Sequence, residues 1–90
     1  MGTREKQRRN IEQSPRQVRF EDLDALLRAY GFQARQPGRG GSHYFYYRDR
    51  HLLSVPKSHP HLKEYVVRRA LSMIQEIEAK EGREDEENSG

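Results

Sequence analysis

The apolar positions of residues 18–32, VRFEDLDALLRAYGF, follow the spacing of a helix. Large apolar side chains recur every three or four positions, which places them on one helical face. They are Phe20, Leu23, Leu26, Leu27 and Tyr30. Glu21 and Asp22 fall in the first turn, where the helix dipole favours negative charge. Gly31 suits the left-handed position after a helix, which would let Phe32 fold back onto Leu27 in a Schellman cap.

Residues 63–80 repeat the helical pattern. One apolar stripe has two further apolar residues beside it, and the opposite face is polar. The stripe is Val66, Ala70, Met73, Ile74 and Ile77, flanked by Val67 and Leu71, with Arg68, Arg69 and Gln75 on the polar face. The pattern predicts a second amphipathic helix.

Three short extended segments lie between the two predicted helices. They are FQAR at 32–35, SHYFYYR at 42–48 and HLLSV at 51–55. QPGRGG separates the first two and RDR turns the chain between the last two, which predicts a three-stranded antiparallel meander. Both sides of the middle strand are aromatic, so alternation does not reveal which side is buried.

The order helix, three strands, helix predicts an α+β fold, a two-layer sandwich with two helices on one face of the sheet. Residues 18–80 make up this domain. Residues 1–17 contain one large aliphatic residue, Ile11, and residues 81–90 contain none. Such segments bury too little apolar surface to offset their chain entropy, so the sequence predicts that both are disordered.

The charge of the chain is unevenly distributed. Residues 1–17 hold five basic and two acidic side chains, and residues 80–90 hold two basic and five acidic ones. Residues 18–79 keep an excess of three positive charges, ten basic against seven acidic groups, which suits a polyanionic partner. The chain has no cysteine, no membrane-spanning run and no apolar signal segment, so we expect a cytoplasmic protein.

His43 is the best candidate for chemistry. It follows Gly40 and Gly41, where the backbone can approach a ligand closely. Histidine is a common general acid or base, because imidazole as a side-chain type can give and take protons near neutral pH. A histidine at a strand start also commonly caps a backbone group, and the residues alone leave that alternative open.

These stretches, taken in order, resemble the HicA family of bacterial toxins. The resemblance spans roughly residues 18–77 and is strongest around the glycine-serine-histidine motif. The matching positions are Gly41, Ser42 and His43 with Tyr46, then Val55 and Pro56, then Leu62 and Lys63. HicA proteins are small mRNA interferases with a fold similar to that of double-stranded-RNA-binding domains.

The resemblance implies a function and a partner. This chain would be the toxin of a toxin–antitoxin pair, held in check by a HicB-type antitoxin protein. His43 would be the catalytic residue of a metal-independent endoribonuclease, with mRNA as substrate and no cofactor. Such cleavage needs a base for the ribose 2′-hydroxyl and positive charge near the phosphate.

Several other residues are candidates for RNA contact. The predicted RNA-binding set is Arg39, Gly41, Ser42, Tyr44, Arg48, Lys57 and Lys63. The charged members can equally be solvated surface groups. Tyr44, Tyr46 and Tyr47 could stack on bases, although we expect at least one of them, together with Phe45, in the core.

The sequence leaves open two alternatives to an enzyme. One is a reader of duplex RNA without chemistry, although the start of the last helix offers few lysines for phosphates. The other is a protein-interaction domain with an aromatic sheet face. His51, His59 and His61 lack nearby carboxylate or cysteine ligands, so we expect no metal site.

Overall fold

The structure is a computed structural model that describes residues 3–36, 43–58 and 60–89, with side chains described for 4–36, 43–58 and 60–82. Its elements are α1 (Thr3–Gln13), α2 (Phe20–Ala29), β1 (Gln33–Arg35), β2 (His43–Arg48), β3 (His51–Pro56) and α3 (Glu64–Ser89). The strands form one antiparallel sheet in the order β1-β2-β3. The predicted α+β class and the three-stranded meander are confirmed.

The end of α2 forms the predicted cap. Gly31 has a φ of 87°, in the left-handed region that glycine adopts without strain. Its N–H donates to the carbonyl of Arg28 at 3.0 Å, and the N–H of Phe32 donates to the carbonyl of Leu27 at 3.0 Å. These are the two bonds of a Schellman motif. The cap reverses the chain and leads directly into β1.

Strands β2 and β3 are joined by a two-residue turn. Arg48 pairs with His51, and Asp49 adopts a φ of 53°. Aspartate tolerates this left-handed conformation better than most residues, which suits it to tight hairpins. The prediction of a turn at RDR is confirmed. The QPGRGG segment between β1 and β2 lies, apart from Gln36, outside the described residues.

The core lies between the helices and one face of the sheet. Tyr46, Leu53 and Val55 point into it from the strands, and the apolar stripes of α2 and α3 meet them there. Most of the predicted stripe of α3 is buried, whereas Met73 and Leu71 are partly exposed and pack against its edge. Arg68, Arg69 and Gln75 are exposed, as the periodicity predicted.

The prediction of a disordered N-terminal segment is wrong for residues 3–13, which form α1. Ile11, the only large aliphatic residue of the segment, is buried in the core. Arg8 forms an ion pair with Glu78, and Arg4 Nη2 lies 3.1 Å from Glu81 Oε1. Ile11 thus anchors α1 in the core and two ion pairs connect α1 to α3, which composition alone did not indicate.

The prediction of disorder after residue 80 is likewise wrong for residues 81–89, because α3 continues to Ser89. The helix therefore extends nine residues past the predicted boundary of the domain. Glu81 lies in this extension and forms ion pairs with Arg4 and Arg48. No helix among the described residues is both long enough and apolar enough to cross a bilayer.

Candidate active site on the open sheet face

Strand β2 alternates strictly between two environments. Tyr46 is buried, and Tyr44 and Arg48 are half-buried on the helical side. His43, Phe45 and Tyr47 are exposed on the other side, which we call the open face. The expectation that at least one of Tyr44, Tyr46 and Tyr47 lies in the core is confirmed by Tyr46, which is 1% exposed. The expectation that Phe45 also lies in the core is wrong, since its side chain is 38% exposed.

His43 lies at the first position of β2 on the open face. It pairs with Pro56, the last residue of β3, so the hairpin ends beside it. Its side chain is exposed, and within the described residues its imidazole forms neither a hydrogen bond nor an ion pair. An imidazole in this position can exchange protons with a ligand that lies on the sheet.

The strand register arranges the open face in rows. Gln33, Tyr47 and Leu52 form one row, and Arg35, Phe45 and Ser54 form the next. His43 is therefore the diagonal neighbour of Arg35, and diagonal Cα positions in antiparallel sheets lie about 7–8 Å apart. Arg35 is exposed and long enough to share a phosphate with His43. Sequence analysis missed this arginine because register could not be assigned across the glycine-rich loop.

Two of the predicted RNA-binding residues lie on the helical side instead. The ring of Tyr44 packs against Phe20, with ring centroids 4.8 Å apart, and its hydroxyl accepts a hydrogen bond from Gln36 at 3.3 Å. Lys57 Nζ lies 5.3 Å from the centroid of the same Phe20 ring. The structure thus groups Tyr44 and Lys57 around Phe20 and separates the ring of Tyr44 from the face that holds His43.

Two further predicted residues lie away from His43. Arg48, at the far end of β2, donates to the carbonyl of Tyr30 at 2.6 Å and lies 3.5 Å from Glu81. Lys63 precedes α3, where its carbonyl accepts the N–H of Val66 at 3.1 Å, and its side chain is exposed. The predicted contacts Arg39, Gly41 and Ser42 lie outside the described residues.

The strands carry no negative charge. Residues 33–35, 43–48 and 51–56 include no aspartate or glutamate, and the described carboxylates belong to the helices, their caps and the β2–β3 turn. The open face therefore presents Arg35 and His43 without a neutralising partner on the sheet. Among the described residues, no group of three or more histidine, cysteine, aspartate or glutamate side chains could hold a metal ion.

Acidic side chains on the helical side are used internally. Tyr46 donates to Asp24 Oδ1 at 2.6 Å, and Tyr30 donates to Glu78 Oε2 at 2.6 Å. Burial, reinforced by these bonds to carboxylates, raises the pKa of both phenols above their usual value. Both tyrosines are therefore structural groups that stay neutral at physiological pH.

Comparison of the chain with family models, with curated proteins and with solved structures finds no match.

Proposed function

We propose that this chain is a metal-independent endoribonuclease that cleaves mRNA with His43 as its general acid and base. The observation that carries the proposal is the exposed imidazole of His43 on a sheet whose described strands contain no aspartate or glutamate. The resemblance to HicA proteins supports the proposal further, because His43 matches the catalytic histidine of that motif and its side chain is exposed.

The residues of the open face suit transesterification of RNA. The neutral imidazole of His43 takes the proton from a ribose 2′-hydroxyl, and the 2′-oxygen forms a bond to the adjacent phosphorus. The bond from phosphorus to the 5′-oxygen breaks, and that oxygen takes up a proton from the imidazolium. The products are a 2′,3′-cyclic phosphate and a 5′-hydroxyl. Arg35 stabilises the charge that builds on the phosphoryl oxygens.

The same proposal assigns a biological role by resemblance. The chain would be the toxin of a toxin–antitoxin pair, and a HicB-type antitoxin protein would inhibit it. A partner that covers the open face would block His43 directly. Co-expression with a cognate antitoxin should therefore restore growth to cells that the free chain arrests.

The test compares two histidine variants. His43→Ala should lower the rate of mRNA cleavage, measured in the presence of EDTA, by at least about 10²-fold, as expected for the loss of a general acid–base group. His51→Ala is the matched control, because His51 lies on the helical side at the other end of the hairpin. Circular dichroism spectra should show that both variants fold. Equal cleavage by His43→Ala and the unaltered chain would refute the proposal.

A second candidate function is RNA binding without cleavage. The exposed rings of Phe45 and Tyr47 favour it, since aromatic side chains on a sheet surface commonly stack on bases. Under this alternative the chain would slow the migration of RNA in a gel-shift assay. No 2′,3′-cyclic phosphate would form even with excess protein. A salt-sensitive affinity would accompany it.

A further inference from the structure

We propose that the open face binds an unpaired RNA strand by stacking two bases on Phe45 and Tyr47. This inference rests on the proposed function, because it describes how the substrate of His43 would lie on the sheet. It assigns the substrate as single-stranded RNA and gives a binding role to two residues outside the motif that carries the catalytic histidine.

Phe45 and Tyr47 form a platform of two rings on one side of β2. Their side chains are 38% and 40% exposed. Successive residues on one side of a strand are about 6.7 Å apart, so each ring has room for its own base. The hydroxyl of Tyr47 donates to Gln33 Oε1 at 2.9 Å, which holds that ring in place on the sheet before any ligand arrives.

The position of His43 fits this platform. His43, Phe45 and Tyr47 follow one another along the same face of β2. A strand of RNA whose bases stack on Phe45 and Tyr47 would carry its backbone towards His43 at one end. Arg35, in register with Phe45, lies beside this path and offers a cation to a phosphate. The absence of carboxylates from the described strands favours RNA over a basic protein segment.

The helices argue against duplex RNA as the ligand. Proteins that read duplexes contact 2′-hydroxyls and phosphates across grooves, and paired bases do not expose their π-faces. The start of α3, where lysines would be needed, instead carries Glu64, which pairs with Arg16 and Arg68. These pairs lower the pKa of the Glu64 carboxyl and keep it negatively charged. Two arginines at this helix terminus are thus engaged with a carboxylate and are less available to the phosphates of a duplex.

The experiment measures binding rather than cleavage. The probe is a fluorescent 12-nucleotide RNA of mixed sequence, unpaired or annealed to its complement, and the protein is the full chain with His43→Ala. In that background, Phe45→Ala and Tyr47→Ala should each weaken binding of the unpaired probe by about 5- to 150-fold. Tyr65→Ala is the matched control, because Tyr65 is an exposed tyrosine on α3, and its effect should stay within about twofold. The duplex should bind at least about tenfold more weakly than the unpaired probe.

The outcomes separate this inference from the proposed function. If the chain with His43 intact cleaves RNA but the Phe45 and Tyr47 variants bind the unpaired probe as tightly as Tyr65→Ala does, the inference is overturned and cleavage stands. That result would favour contact of the two aromatic rings with a protein partner instead. If the two variants lose affinity although no cleavage is found, the stacking of bases on Phe45 and Tyr47 is supported and the proposed endoribonuclease activity is refuted. Equal or tighter binding of the duplex would also overturn the inference.

Discussion

Tyr46 and Tyr47 are neighbours in β2 but have opposite surroundings. Tyr46 is 1% exposed, lies under the helices and donates to a carboxylate of α2. Tyr47 is exposed on the open face and donates to a neutral amide on β1. Residue type does not explain the difference. The side of the strand on which the helices pack decides which tyrosine becomes core and which stays available to a ligand.

The two sides of the sheet also differ in charge. On the helical side, Arg8, Arg48, Glu78 and Glu81 pair with one another or bond to tyrosine groups. On the open face, Arg35 and His43 have no acidic neighbour within the described strands. Charges that are neutralised within the fold stabilise it, whereas charges left unneutralised on an aromatic surface are free to meet an anion. The contrast favours the open face as the functional side of the sheet.

The adjacent leucines of β3 provide the largest test of the contrast between the two sides. Leu53→Ala should lower the free energy of unfolding by about 2–5 kcal/mol, because its side chain is 1% exposed and its loss leaves a cavity. Leu52→Ala should change it by no more than about 0.5 kcal/mol, because that side chain is 63% exposed. Urea unfolding followed by circular dichroism measures both. Similar losses would mean that the open face is covered in solution.

Alkaline pH should lower the free energy of unfolding through two tyrosines on the helical side. In the folded state the pKa values of Tyr30 and Tyr46 are raised, by burial first and then by their bonds to Glu78 and Asp24. Their contribution to stability is complete below the unfolded pKa of about 10 and is lost as the pH rises from there towards the folded values. In that window each tyrosine should lower the free energy of unfolding by about 1.4 kcal/mol per pH unit.

A phenylalanine variant isolates this effect from other groups that titrate above pH 10. Urea unfolding between pH 9 and 11 should show a shallower decline for Tyr46→Phe than for the unaltered chain. Tyr47→Phe should decline as steeply as the unaltered chain does. The assignment to Tyr46 would be wrong if both variants kept the original slope.

Sequence patterns predicted most of the fold because its signals are local. Helical spacing, the cap at Gly31 and the turn at Asp49 each depend on residues within a few positions of one another. The docking of α1 depends instead on contacts between residues more than 60 positions apart, such as Arg8 with Glu78 and Arg4 with Glu81. The opposite charges of the two terminal segments were the one sequence signal for this docking. Their polar composition instead led to the prediction that both segments are disordered.

The candidate site was predicted only in part. His43 was chosen from its motif, and the structure places it on the exposed side of β2. Tyr44, Tyr46 and Tyr47 were all candidates for base stacking and only Tyr44 joined the predicted RNA-binding set, because both sides of β2 are aromatic and nothing local shows which side the helices cover. Only the tertiary packing of Tyr46 resolves that choice. Arg35 required the register between β1 and β2, which the intervening loop concealed.

Removing a single hydroxyl from either tyrosine is the smallest test of the comparison. Tyr46→Phe should lower the free energy of unfolding at neutral pH by about 1–2 kcal/mol, because a buried hydrogen bond to the carboxylate of Asp24 is lost. Tyr47→Phe removes an exposed bond to Gln33 and should change stability by no more than about 0.5 kcal/mol. Both substitutions keep the ring, so packing is matched, and urea unfolding measures the difference. If Tyr47→Phe were the more costly change, the bond from Tyr47 to Gln33 would be buried rather than exposed, and the platform proposed for RNA would lose its basis.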